Sequence, residues 1–125
     1  MTYNDLARAV TNELGADDGD ELAQAALQLA LQAWHALADG DPAWDRFGLD
    51  LLDVRGRLHP NPTVAVVTPA PDRDRPELRA AVTTLVQALA DRHERVAAGA
   101  ERALAQRLQL DGAAVQLRRA AEALA

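Results

Sequence analysis

The stretch Asp20–Ala38, DELAQAALQLALQAWHALA, decides the fold. At about 3.6 residues per turn, Glu21, Gln24, Gln28, Gln32, His35 and Asp39 share one narrow polar stripe, and the rest of the circumference is apolar. A helix of that kind must be enclosed, either at the centre of a bundle or by another subunit. The pattern therefore assigns Leu27, Leu31 and Trp34 to an oligomer interface. Leu22–Ala38 is also the longest apolar window, and its glutamines and His35 make it too polar to span a membrane.

On the N-terminal side, a first helix is expected from about Tyr3 to Leu14, with Thr2 and Asp5 as a capping pair and Gly15 as its stop. The acidic run Asp17–Glu21 forms the turn into the second helix and puts negative charge at its positive end. Asp39-Gly40-Asp41-Pro42 then supplies a glycine stop, a cap and a first-turn proline, so the third helix starts at Pro42 and runs to about Val54. Trp44, Phe47, Leu51 and Leu58 keep helical spacing there. A competing reading makes 49–54 a strand, because Thr63–Val67 is a β-branched run bounded by prolines and wants a partner. That partner would be 49–54 in a hairpin, or the same segment of a second subunit across a two-fold axis.

From Asp74 onward the chain is strongly helical, opened by Asp74 and Glu77 around Pro76. Leu78, Val82, Leu85, Leu89, His93, Val96, Ala100, Leu104 and Leu108 recur close to an eleven-residue period. A helix over 75–108 would be about 50 Å long, too long for a compact chain of this size, so it must break near Gly99 or project. Its seam adds Leu85, Leu89 and Val96 to the expected interface. A last helix, Gly112–Leu124 capped by Asp111, is expected to fold back as a hairpin. The expected fold class is thus all-α: one domain over 1–125, about five helices in a bundle, with room for one short strand or hairpin within 49–67.

Composition sharpens the question of partners. Of the 61 hydrophobic residues 28 are alanine, none is isoleucine and only four are aromatic, so the helices are locally favoured but their core is thin. A thin core favours burial against another chain, and a homodimer or larger homo-oligomer is expected, with another protein as a further partner class. A net charge of −6 argues against nucleic acid, which requires a basic face. The charge is uneven: residues 1–54 hold eleven acids against Arg8 and Arg46, and residues 55–125 hold eleven arginines against eight acids. The two halves should attract each other, within or between chains. Cysteine is absent, which removes disulfides, thiolate nucleophiles and cysteine-type zinc sites. The N-terminus lacks the basic and apolar regions of a secretory leader, so a cytoplasmic setting is expected.

Two weak constellations could carry chemistry. Arg55, Arg57 and His59, in a proline-flanked loop, together with Arg73 and Arg75 near a helix start, are the residue types that hold a small anion. Asp50 and Asp53 are spaced i,i+3, as are Asp18/Glu21 and Asp91/Glu94, and such pairs present two carboxylates to a hard cation, magnesium or manganese. All-helical nucleotide pyrophosphatases use pairs of this kind, although nineteen acids produce several by chance. No histidine has ligand spacing to another, serine is absent, and no glycine-rich phosphate loop occurs. The expected role is a non-catalytic, homo-oligomeric interaction, adaptor or regulatory module without a cofactor. The second reading is a hydrolase or sensor that takes a small anion or a metal-bound nucleotide through the Arg55–His59 loop and its neighbouring carboxylates.

Overall fold

The computed structural model describes residues 1–99 and 101–125 and is all-helical. Five helices follow in chain order: α1 Tyr3–Leu14, α2 Asp20–Leu37, α3 Pro42–Leu58, α4 Pro76–Ala97 and α5 Leu104–Leu124. α1 is opened by the expected box, in which the Thr2 hydroxyl accepts from the Asp5 amide and the Asp5 carboxylate accepts from the Thr2 amide, both at 3.1 Å. At the α2–α3 corner Gly40 takes φ +80°, a conformation open to glycine at little cost, and the Asp41 carboxylate accepts from the Ala43 amide at 2.8 Å.

α2 packs against α1, α3 and α4, while α4 packs against α1, α2 and α5, and α5 closes on α3 and α4. The apolar surface of α2 is therefore enclosed within one chain. The bundle direction follows from which ends meet. Arg92 and Arg95 near the end of α4 bind Asp20 and Asp18 at the start of α2, so those helices are antiparallel. Arg79 in the first turn of α4 reaches Asp41 at the start of α3, so α3 and α4 point in the same sense, with α2 and α5 each packed against both. The acid-rich N-terminal half and arginine-rich C-terminal half thus attract within the chain. α2 and α3 meet where the Trp34 indole lies over Gly48: a Cβ at position 48 would sit 2.0 Å from the ring. Trp44 and Phe47 pack edge-on, with ring centroids 5.5 Å apart.

Three expectations are corrected. Residues 49–54 are the middle of α3, and no strand occurs among the described residues. Thr63–Val66 is extended, yet its partner is the polar stripe of α2: Gln24 accepts from the Thr63 amide, Gln28 binds the Val64 carbonyl and the Val66 amide, and Gln32 donates to the Val66 carbonyl. The stretch 75–108 breaks near Gly99, one of its two expected outcomes, with α4 ending at Ala97; α5, however, begins at Leu104, eight residues before the expected start at Gly112. Asp111 is consequently inside α5 and caps nothing. The residues from Ala103 to Leu110 are mostly strong helix formers, and a Cβ at Gly112 would meet nothing within 4 Å, so the glycine does not mark a boundary. Asp74 does not cap α4 either; its carboxylate takes the Trp44 indole N–H at 3.0 Å and the Arg79 guanidinium at 2.7 Å. The seam position Ala100 lies outside the described residues.

Candidate interaction site

The apolar residues assigned to an interface fall mainly in the chain's own core. Leu27, Leu31, Leu85, Leu89 and Val96 are buried, and Trp34 is half-buried, its indole N–H directed at Asp45 at 3.4 Å. The face of α2 that seemed to need another subunit is filled by α1, α3 and α4.

The anion candidates separate into two groups. Arg55 and His59 lie at the end of α3, beside a water-sized void lined also by Gln24, Leu27, Gln28 and Pro62. Arg57 there binds Asp53 at 3.1 Å and donates to the Gln116 side chain. Arg73 and Arg75 line a groove with Met1–Asn4 and Pro69–Pro71, at the opposite end of the bundle. The length of α3, about 25 Å for its seventeen residues, keeps the two groups apart. Burial pushes the His59 imidazole below its ordinary range and Arg92 adds to that, while Asp20 opposes it.

Five of the six carboxylates in these pairs, all but Glu21, are engaged by cationic or amide donors. Asp50 accepts from the Gln116 amide at 3.1 Å and from Arg119 at 3.3 Å. Asp53 pairs with Arg57, Asp18 with Arg95, and Asp91 and Glu94 share Arg118 at 2.7 and 2.9 Å. Among the described residues no three histidine or acidic side chains converge as a cation would need. No helix of the described chain is long and apolar enough to cross a membrane.

One polar node is buried. Arg92 and His93 are each 1% exposed; the Arg92 guanidinium donates to His93 Nδ1 at 3.0 Å, to Asp20 at 2.9 Å and to the Asp18 carbonyl, while its Nε finds no partner. Arginine has no acceptor, so Nδ1 must accept and the imidazole proton sits on Nε2. The node fastens the end of α4 to the start of α2, and His93, a member of the periodic stripe expected over 75–108, is buried and hydrogen-bonded. The buried arginine beside it was not foreseen.

The feature that sequence reasoning passed over lies on α5. Its C-terminal part packs through Ala113, Ala114, Leu117, Ala120, Ala121 and Leu124. Residues 104–109 are exposed, because Arg118 already stands beside Asp91 and Glu94 near the end of α4, which leaves the earlier turns of α5 overhanging by about 12 Å. Leu104, Leu108 and Val115 are 69%, 62% and 66% exposed and form one line, on the side of the helix opposite Leu117, Ala120 and Leu124. The signal was present in the sequence: these three residues keep step with one another and are out of phase with Leu110, Leu117 and Leu124. Comparison with protein families, with curated proteins and with solved structures found no match for the chain.

Proposed function

We propose that the protein is a non-catalytic helical interaction module whose contact element is the overhanging part of α5. The observation that carries this reading is the exposed line Leu104–Leu108–Val115, which starts on the overhanging turns of α5 and ends on the outer side of its anchored part. Burial of each large aliphatic side chain contributes about 1.5–3 kcal/mol, and the C-terminal half of α5 holds the line in place before binding, so little ordering entropy opposes docking. The rest of the bundle acts as a scaffold, cross-tied by the arginine–carboxylate pairs. A metal-dependent hydrolase would need carboxylates free to face one cation, whereas Asp50 and Asp53 are held by Gln116, Arg119 and Arg57. The test replaces both leucines, Leu104→Gln with Leu108→Gln. Both are exposed, so circular dichroism and melting should stay unchanged, while association, read by light scattering or by crosslinking in cell extract, should be lost. Association that survives the double replacement would overturn the assignment to α5.

A further inference from the structure

We infer that the occupant of the α5 overhang is the same overhang of a second copy, packed antiparallel across a two-fold axis that passes between Gln109 and Leu110. This rests on the interaction-module reading and deepens it. An isologous contact requires a surface complementary to itself, and a line that passes this test must pair each residue i with a residue j in both directions. In the proposed register Leu104 lies opposite Val115 of the second copy and Leu108 opposite Asp111, with each relation repeated on the other side of the axis.

Charge supports the register. Arg107 and Asp111 flank the apolar line on the same side of the helix, and a two-fold axis perpendicular to an antiparallel pair keeps that side in common. Arg107 of one copy therefore faces Asp111 of the other, twice per dimer. Neither residue has an ion-pair partner among the described residues, so both charges are open to pairing across the axis. A parallel pair would instead put the Arg107–Asp111 flanks of the two copies on opposite sides of the contact, where the charges cannot meet. The contact is short, about 17 Å of helix, which predicts a weak and concentration-dependent dimer.

The test uses the full chain and its lack of cysteine. Arg107→Asp alone and Asp111→Arg alone should each weaken dimerisation about tenfold or more, since each sets like charges across the axis. An equimolar mixture of the two variants should restore it, because opposite charges then face each other between chains while each chain keeps its own like-charged pair. That cancels any effect confined to one helix. A mixture of Leu104→Cys with Val115→Cys should form a disulfide under mild oxidation, and neither variant alone should, since like positions lie about 16 Å apart. Circular dichroism on every variant checks that the bundle is intact. A monomer at every concentration overturns self-pairing and leaves the interaction reading standing. A dimer indifferent to the leucine replacements overturns both. A leucine-dependent dimer that the mixed charge variants fail to restore, or that crosslinks 104 to 104, overturns the antiparallel register.

Discussion

The side-chain amide of Gln28 stands in for a strand partner of Val66: its Oε1 accepts the Val66 amide at 3.0 Å, and its Nε2 donates to the carbonyl of Val64 two residues earlier. One peptide-like group thus binds the extended segment as a neighbouring strand would. Gln24 and Gln32, one turn away on either side, extend the arrangement to the Thr63 amide and the Val66 carbonyl, each at 2.9 Å. A helix repeats its i,i+4 positions at about 6 Å, close to the two-residue repeat of an extended chain, and the match lets three glutamines serve one strap.

Gln28→Leu should release that strap. The substitution leaves the Val64 carbonyl and the Val66 amide without their partners, at a cost of about 1–3 kcal/mol. Hydrogen exchange at Val66 should quicken while amides in the middle of α2 stay protected. Unchanged exchange at Val66 would mean that the glutamines do not hold the segment.

Much of the fold was legible because its signals are local. Thr2 with Asp5, and Asp41 with Pro42, state helix starts within four residues, and the polar stripe of α2 is a single-helix property. What was not legible is long-range. Nothing near Thr63–Val67 says that its partner is a row of glutamines more than thirty residues earlier, so a β-branched run suggested a strand. Asp111-Gly112 imitates a start signal, and only the position of α5 relative to α4 shows that the helix began at Leu104. The same misplacement hid the exposed line on α5, since it assigned Leu104 and Leu108 to the seam of the preceding helix. The wide apolar face of α2 was read correctly as enclosed; that one chain suffices to enclose it could be learned only from the packing.

The two glycines of α3 should respond in opposite directions. Gly48→Ala places a methyl group 2.0 Å from the Trp34 ring, and the helices must separate to admit it, at a cost of about 1–3 kcal/mol. Gly56→Ala meets nothing within 4 Å and removes a flexible residue from a helix, so it should stabilise by up to about 1 kcal/mol. Thermal melting of both variants checks this, and a Gly48→Ala protein that melts like wild type would place Trp34 elsewhere.

Asp50 and Gln116 should prove coupled. Gln116 joins α5 to α3 by donating to Asp50 and accepting from Arg57, so Gln116→Leu removes both bonds at once. Asp50→Asn and Gln116→Leu should each destabilise by about 1–2 kcal/mol, and the double variant by clearly less than their sum. Additive losses would show that the two side chains act independently. Magnesium or manganese should leave the melting temperature of wild type unchanged, since Arg119 and Gln116 already occupy the Asp50 carboxylate.

The last expectation concerns pH. Burial, chiefly, pushes the His93 imidazole down to about 3 from its ordinary 6.5; Arg92 and His59 add to the shift, and Asp20 opposes it. Between those values the unfolded chain binds a proton that the folded chain refuses. Stability contributed by the neutral ring is therefore complete above pH 6.5 and is lost progressively as the pH falls toward 3. The slope from this one group cannot exceed about 1.4 kcal/mol per pH unit. His59 titrates in the same sense and adds to the slope, and Asp74, held below the ordinary carboxylate range chiefly by Arg79, contributes only at lower pH, so the informative window lies above about pH 4.5. Urea unfolding of wild type and His93→Gln across the window separates the terms. Glutamine can offer Arg92 an acceptor and cannot take a charge, so the variant should start less stable at neutral pH and lose less on acidification. His59→Gln supplies the comparison for the half-buried ring. Equal acid slopes for wild type and His93→Gln would show that the ring is open to protonation in the folded protein and that the Arg92–His93 node is not closed to water.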